Sequence, residues 1–237
     1  MPRRIPSAKP RDFFGATVVD PAVVLEPEGL AVMRQLPLAL VASDFYLAGG
    51  TALALRLGHR VSVDFDFFSE HRAMDIDDRR RLVDGFRDVN EDLRITTDTD
   101  GTLIFTWLGV SLSFFRYPYR MLEAPTQREG LPLAGTADIA AMKLSAIIGR
   151  GSRKDFIDLD ALLTERPLAD WMTAAERKFD TVPEFRRMAL RALLYFDDAD
   201  VEQAPRMLRP LDWEALKARL RRDVGELGRA DLGVASW

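Results

Sequence analysis

The sequence predicts an α+β fold in which an α/β part with a mixed sheet is followed by an all-helical part. Up to about residue 130, runs of alternating polar and apolar residues are interspersed with helical patterns. Beyond a segment rich in proline and glycine at 123–136, nearly every segment has the apolar spacing of a helix. We therefore expect a flexible arm over 1–20, an α/β domain over 21–130 and a helical domain over 131–237, with a ligand in the cleft between the two domains.

The α/β part begins with a helix, a short strand, a second helix and a longer strand. The pattern at 28–41 predicts a helix that Pro37 limits or kinks. A short buried strand at 44–50 ends at a glycine pair, and the helix that follows it is expected to stop at Gly58. The clearest strand of the chain is "RVSVDFDFF" at 60–68, because polar and apolar residues alternate along it.

Further along, the patterns predict one helix, three strands and then mainly helices. The polar-faced helix covers 75–90, and the strands lie within 93–117 with turns at Gly101 and Gly109. The segment at 123–136 is predicted to be a loop or linker. Five helical patterns follow, at 136–150, 153–165, 168–179, 184–196 and 213–227.

The composition excludes several kinds of site. The chain has no cysteine, which excludes thiol catalysis, disulfides and thiolate metal sites. Its two histidines, His59 and His71, are expected at the surface, and so few imidazoles argue against a histidine-rich metal site. A divalent ion would then be bound by oxygen ligands, which favours Mg²⁺ or Mn²⁺. The net charge of -4 gives no global basic character, so a nucleic-acid partner would need a local basic patch.

The chain has no recognisable targeting or membrane segment. Its first residues, "MPRRIPSAKPRDFF", lack the apolar stretch of a secretory signal. No apolar run approaches the roughly 20 residues that are needed to cross a bilayer. We therefore expect a cytoplasmic protein with no membrane partner.

Two aspartates on the long strand form the first candidate site. Residues two apart on a strand point to the same side, so Asp64 and Asp66 share a face with Arg60 and Ser62. The valines and phenylalanines between them should form the core face. The two acids stand about 7 Å apart at their Cα atoms, and their like charges repel. A divalent cation between them would remove that repulsion, although such a pair can also lie on a solvated edge.

The glycine pair before the second helix fits the same chemistry. Gly49 and Gly50 lack Cβ atoms where the chain turns from strand to helix, so the backbone can approach a ligand closely. The amides at the start of the helix, with Thr51, favour an anion such as phosphate. A phosphate bound there would lie beside a metal held by Asp64 and Asp66, an arrangement suited to phosphoryl or nucleotidyl transfer. Taken alone, the glycines could equally form an ordinary turn.

A second cluster of charged residues lies in the helical part. Lys143 and Arg150 are seven residues apart and share a helix face, from which they could neutralise a triphosphate. Alternatively, Lys143 reaches out to solvent and Arg150 ends the helix. Lys154 and Asp158 have the spacing of a surface ion pair, whereas Asp155 borders the apolar stripe of its helix and could turn into the cleft. Arg60 either contacts a phosphate or holds the strand acids in place.

The combination of motifs resembles the AbiEii/AbiGii nucleotidyltransferase toxins, a branch of the polymerase-β-like nucleotidyltransferases. The first matching motif is "LAGGTALALRLGHRVSVDFDFF", with a glycine pair, a short helix and two acids on a strand. The second is "KLSAIIGRGSRKDFIDL", and "GVSLSFFRYPY" between them is also similar to the family. Together these segments cover roughly residues 40–165.

The resemblance implies a polymerase-β-like domain followed by an all-helical domain, and a Mg²⁺-dependent nucleotidyltransferase. Such an enzyme would move a nucleotide from a nucleoside triphosphate to an RNA, commonly the 3′ end of tRNA, as the toxin partner of an antitoxin. Gly49 and Gly50 match the family's phosphate-binding turn, and Asp64 and Asp66 match its metal ligands. The second motif, thought to serve nucleotide binding and catalysis, is matched by Lys143, Arg150, Lys154 and Asp155.

One position departs from the wider superfamily. A third carboxylate usually lies on a later strand, where this chain has Ser113. Asp155 or Asp158 could supply that acid, or two acids could suffice. Two alternatives therefore stay open: a nucleotide-binding module without catalysis, and a protein-nucleotidylating (AMPylating-type) enzyme of the same fold.

Overall fold

The computed structural model describes residues 19–40 and 44–231 of the 237. The predicted arm at 1–20 therefore lies outside the described residues, except for its last two positions. Residue 41, the predicted end of the first helix, also lies outside them. The described elements are α1 (Pro21–Val24), α2 (Pro27–Ala39), β1 (Tyr46–Ala48), α3 (Gly49–Leu57), β2 (Phe65–Ser69), α4 (Ile76–Val89), β3 (Leu93–Thr99), β4 (Thr102–Trp107), β5 (Val110–Arg116), β6 (Thr126–Arg128), β7 (Leu131–Leu133), α5 (Thr136–Gly149), α6 (Arg153–Leu162), α7 (Leu168–Lys178), α8 (Phe185–Ala192), α9 (Asp197–Val201) and α10 (Trp213–Asp231).

The strands form one mixed sheet, as predicted. Its seven described strands lie in the order β3-β4-β5-β2-β1-β7-β6. The pairs β2–β5 and β1–β7 are parallel, and the other neighbours are antiparallel. The α+β class with helices after the sheet is confirmed.

Glycines end or turn the elements where the sequence predicted them to. Gly58, which caps α3, has a φ of 60°. Gly101 and Gly109 have φ values of 82° and 79° and lie at the turns between β3, β4 and β5. These left-handed conformations cost glycine little, because it has no Cβ.

The segment at 123–136 is not a loop, which corrects the prediction. It contains the hairpin β6–β7, and β7 pairs with β1. Leu131 and Leu133 are each 1% exposed, so burial of two leucines holds this short strand in the sheet. Three-residue strands carry too little alternation to be recognised in a sequence. Because β7 extends past residue 130, the sheet runs three residues into the predicted helical domain, and the division at 130 stays a prediction.

The long strand predicted at 60–68 is also shorter than expected. Regular pairing covers only β2, while Arg60 and Ser62 make isolated bridges to Met207 and Leu25. Alternation therefore fails before residue 65: Arg60 and Ser62 are buried, and Val63 is 60% exposed. These bridges pair this part of the chain with segments outside the seven strands.

The core lies between the sheet and two sets of helices. On one face, Phe86 of α4 makes edge contacts with Phe105 and Phe114, with ring centroids 5.0 and 5.6 Å apart. Helix α5 packs against α3, α6, α7 and α8. Helix α5 therefore lies next to α3, and its residues face the same cavity as the start of α3 and strand β2. None of the helices within the described residues is both long and apolar enough to cross a membrane.

Candidate active site

A cavity of about 580 Å³ lies between the start of α3, strand β2 and helix α5. Its size is typical of a small-molecule site. Ten of the predicted site residues line it, namely Gly49, Gly50, Thr51, Arg60, Ser62, Asp64, Asp66, Lys143, Arg150 and Lys154. The fold thus brings together two motifs that are far apart in the sequence.

The glycine turn and the acid pair are in direct contact. Ala48 pairs with Asp66 across β1 and β2, which puts the next residue, Gly49, beside the Asp66 carboxylate. A Cβ built on Gly49 would lie 2.9 Å from Asp66 Oδ2, and Gly49 has a φ of +64°. Both the backbone conformation and the space therefore require glycine here.

Asp64 lies in an environment that disfavours its charge. Burial raises its pKa above the ordinary value, and the negative charge of Asp66 raises it further. The nearby cations Lys154 and Arg60 offset only part of this effect. A bound cation would stabilise both carboxylates at once.

The carboxylate pair fits a magnesium ion. Among residues 19–40 and 44–231, no group of three or more acidic, histidine or cysteine side chains could hold a metal. Mg²⁺ is commonly held by one or two carboxylates and completed by water and substrate phosphates. Asp64 and Asp66, beside the glycine turn, would supply the two carboxylates of such a site.

Thr51 and Ser62 hold the backbone of Asp64. The Thr51 hydroxyl is bonded to the carbonyl oxygen of Asp64 and lies 2.7 Å from the Ser62 hydroxyl. Because a carbonyl only accepts, Thr51 donates to it, and Ser62 donates to Thr51. Both side chains are almost completely buried. These hydroxyls link α3 to the segment that carries the acids.

Arg60 occupies the space that Gly50 leaves free. A Cβ on Gly50 would lie only 2.1 Å from Arg60 Nη2. The guanidinium donates from Nε and Nη2 to both oxygens of Asp158, at 2.7 and 2.9 Å. Arg60 was predicted either to contact a phosphate or to hold the strand acids in place, whereas here it is bonded to Asp158 and supports the glycine turn.

Lys143 is a buried cation at the inner wall of the cavity. Its Nζ lies 2.9 Å from Asp155 Oδ1 and 2.6 Å from Asp158 Oδ2. Burial opposes its charge, but the carboxylates of Asp158 and Asp155 outweigh that effect and keep its pKa above the ordinary value. Lys143 therefore stays protonated, with its charge shared between two acids.

Asp155 lies beneath the cavity and does not line it. It is 0% exposed and accepts hydrogen bonds from Lys143, from the Arg150 guanidinium and from Ser152 Oγ at 2.7 Å. Burial alone would raise its pKa, but Lys143 first and Arg150 second lower it to about 2. The predicted turn of Asp155 into the cleft is not observed; instead it holds two cations that do reach the cavity wall.

The sequence interpretation also misplaced Asp158 and His59. The predicted surface pair between Lys154 and Asp158 does not form, because Asp158 is 0% exposed and is bonded to Lys143 and Arg60. His59 is also buried, and its Nε2 lies 2.7 Å from Asp158 Oδ1. Burial lowers the pKa of His59, so the neutral ring donates to Asp158. The spacing of Asp155 and Asp158 along one buried helix face was the available signal.

A third carboxylate is missing at the expected place. Ser113 pairs with Asp66 in the parallel register of β2 and β5, so this serine lies on the strand next to the acids. Asp155 and Asp158 cannot replace it as metal ligands in this arrangement, because both are fully buried and bonded to cations. The site therefore offers two acids.

The other end of the cavity is aromatic, which the sequence interpretation missed. Phe68, Phe115 and Tyr117 line it and are only partly buried. Two other large aromatic side chains, Trp107 and Trp171, lie in the core and do not line the cavity. The alternation in "DFDFF" was the available signal, since it puts Phe68 on the same face as Asp66.

A protein-family comparison identifies the chain. The family described as "Nucleotidyl transferase AbiEii toxin, Type IV TA system" matches residues 31–230. The chain belongs to this family. The predicted resemblance is confirmed, and the protein is a nucleotidyltransferase for which the AbiEii family implies a nucleoside triphosphate substrate. A protein of Aquifex aeolicus (strain VF5) that is itself uncharacterised is 38% identical over 191 residues, which cover 78% of this chain and 89% of that protein.

Solved structures confirm the nucleotidyltransferase-like fold of this AbiEii family member. A candidate nucleotidyltransferase from H. pylori is 19% identical, with a TM-score of 0.51, over 89% of this chain and 96% of that chain. MenT4, the nucleotidyltransferase toxin Rv2826c from Mycobacterium tuberculosis H37Rv, is 18% identical, with a TM-score of 0.50, over 84% and 82%. At these identities the likeness concerns the fold alone.

Proposed function

We propose that this AbiEii family member is a Mg²⁺-dependent toxin that transfers a nucleotide from a nucleoside triphosphate to an RNA, with the 3′ end of tRNA as acceptor. An antitoxin protein would be its partner. The observation that carries the proposal is the contact between Gly49 and Asp66, which puts an anion-binding turn and a carboxylate pair in one cavity. In this proposal a metal–triphosphate complex is held at two places: Asp64 and Asp66 bind its metal, and the turn at Gly49 and Gly50 binds its phosphates.

Asp64 and Asp66 would hold the metal, and the backbone amides at the start of α3 would bind phosphate oxygens. A metal held there would neutralise negative charge on the triphosphate and lower the pKa of the acceptor hydroxyl. Gly49 and Gly50 allow close approach of the phosphates. Thr51 serves by fixing the backbone of Asp64.

The cluster formed by Lys143, Arg60, Arg150, Asp155 and Asp158 carries a net positive charge that suits the leaving pyrophosphate. Lys143, Arg60 and Arg150 bring three cations, and Asp155 and Asp158 bring two carboxylates. The difference, 3 - 2, leaves one positive charge, because His59 is neutral. The exposed Lys154 adds another at the mouth. We assign substrate contact to Lys143, Arg150 and Lys154 and a positioning role to Arg60, Ser62 and Asp155.

The test is incubation of the purified protein with Mg²⁺, total RNA and each labelled nucleoside triphosphate, followed by gel separation and mass spectrometry. We expect labelled RNA, with loss of label for Asp64→Asn and Asp66→Asn. Label on protein instead would replace the RNA acceptor with a side chain. The proposal would be refuted if neither RNA nor protein became labelled and the wild type and the two variants bound nucleotide equally well.

A further inference from the structure

We propose that the aromatic end of the cavity is a nucleobase-stacking shelf made of Phe68, Phe115 and Tyr117. This inference rests on the proposed function, because it assigns the planar part of the substrate to a wall that the phosphate and metal chemistry leaves unused. The three rings line the same cavity as Gly49 and Asp66.

The shelf is built on the same face of the sheet as the acids. Phe68 follows Asp66 by two residues on β2, which puts it about 7 Å further along the strand. Phe115 pairs with Phe68 in the parallel β2–β5 register, and Tyr117 continues β5. Along this wall the glycine turn and the acid pair therefore lie side by side, and the aromatic rings lie further along. A nucleotide likewise carries its phosphates at one end and its base at the other.

The rings form one packed unit with open surface. Phe68 and Phe115 are stacked with centroids 5.2 Å apart, and Phe68 meets Tyr117 edge to face at 5.3 Å. Tyr46 packs on Phe68 from the neighbouring strand at 6.2 Å. In contrast to the core phenylalanines Phe65 and Phe67, which are 0% exposed, the shelf rings keep part of their surface in the cavity. Partly exposed aromatic rings at a polar site are suited to stack a planar ligand.

Two sources could supply the base: the donor nucleoside triphosphate or the terminal nucleotide of the acceptor. Both present the same planar group beside the acids. Stacking on a protein ring contributes about 1–3 kcal/mol per base, which corresponds to roughly fivefold to 150-fold in affinity. An effect of that size is measurable for either ligand by itself.

The experiment uses the full chain with Phe115→Leu, Phe115→Trp and Tyr117→Leu, and with Tyr195→Leu as a control. Tyr195 is 53% exposed and lies outside the cavity. Binding of Mg²⁺–tripolyphosphate, of each Mg²⁺–nucleoside triphosphate and of an RNA oligonucleotide is measured separately by calorimetry. Circular dichroism verifies that each variant is folded, and the second aromatic position keeps the test valid if one variant does not fold.

If the shelf stacks the donor base, Phe115→Leu and Tyr117→Leu weaken nucleoside triphosphate binding fivefold or more and leave tripolyphosphate binding unchanged. If it stacks the acceptor base, the same variants weaken RNA binding only. In either case Phe115→Trp retains affinity, and the ligand with the stacked base quenches the new tryptophan's fluorescence.

Unchanged affinity for both nucleotide ligands in Phe115→Leu and Tyr117→Leu would overturn the inference. That result is distinct from a failure of the proposed function, which would appear as wild-type protein that does not bind Mg²⁺–tripolyphosphate. Equal weakening of tripolyphosphate and nucleotide binding would also overturn the shelf, because it would show a general distortion of the cavity.

Discussion

Lys143 Nζ and Asp158 Oδ2 are 2.6 Å apart, in a salt bridge whose two side chains are almost fully excluded from solvent. The same carboxylate also accepts two bonds from Arg60, whose guanidinium fills the space next to Gly50. One buried acid therefore holds both a cation on α5 and the arginine that supports the glycine turn. This link joins the two halves of the cavity through a single side chain.

Asp158→Asn should impair both stability and catalysis. Breaking a buried ion pair by removing one partner commonly costs about 3–5 kcal/mol, since the remaining charges lose their compensation. We expect a loss of about 3 kcal/mol in urea unfolding and a fall of at least tenfold in nucleotidyl transfer under folding conditions. The matched control is Asp138→Asn, which breaks the buried Asp138–Lys178 pair outside the cavity. Equal retention of activity in both variants would contradict the link.

Gly49→Ala should abolish transfer more strongly than it destabilises the fold. The new Cβ would lie 2.9 Å from Asp66 Oδ2, so the carboxylate must move. A misplacement of about 1 Å can cost about 100-fold in rate. Gly109→Ala is the control, because Gly109 also has a positive φ but has no heavy atom within 4 Å of the added Cβ. The backbone strain is thus shared, and only Gly49→Ala should reduce kcat. Similar activity of the two variants would refute the argument.

The sequence predicted the parts of the site that depend on local spacing. The glycine turn and the acids lie within one short segment, so their spacing in the sequence was enough to predict that they meet. By contrast, Arg60 and Asp158 are 98 residues apart, so nothing local announced their contact.

The misassigned face at 60–63 has a similar non-local cause. Alternation predicted Val63 inside and Arg60 at the open face, but bridges to Leu25 and Met207 fix this segment apart from the sheet. Tertiary pairing overrides a periodic pattern when only a few residues carry that pattern. The short strand β7 was missed for the same reason.

Asp64→Asn should remove the stabilisation that Mg²⁺ gives to the protein. Because Asp64 is charged in a partly buried place beside Asp66, the neutral amide relieves repulsion, and we expect Tm in EDTA to equal or exceed that of the wild type. Adding Mg²⁺ should then raise the Tm of the wild type but not that of the variant. Asp84→Asn, an exposed carboxylate on α4, serves as the control in the same thermal scans. An unchanged Mg²⁺ response in Asp64→Asn would exclude this metal site.

Ser113→Asp should make the protein more dependent on metal. A third carboxylate beside Asp66 adds like charge to a buried position, and a loss of about 1–2 kcal/mol in EDTA lowers Tm by roughly 2–8 °C in a protein of this size. Mg²⁺ should restore most of that loss and bind more tightly than in the wild type. Ser111 lies two residues away on the same strand and outside the cavity. Mg²⁺ should therefore not restore the stability of the control variant Ser111→Asp. Equal Mg²⁺ responses of the two variants would sink the prediction.

Asp155→Asn should change how stability depends on acid pH. The folded-state pKa of Asp155 is about 2, against an ordinary value of 3.8, so its charge stabilises the fold fully above about pH 4. That contribution disappears as pH falls through the folded-state pKa, because both states are then protonated. Urea unfolding of the wild type and the variant should therefore differ most near neutral pH, and the difference should shrink between about pH 4 and about pH 2. Asp170→Asn, at an exposed site on α7, is the control in the same unfolding experiments. A constant gap between Asp155→Asn and the wild type across this range would show that Asp155 does not hold its cations through charge.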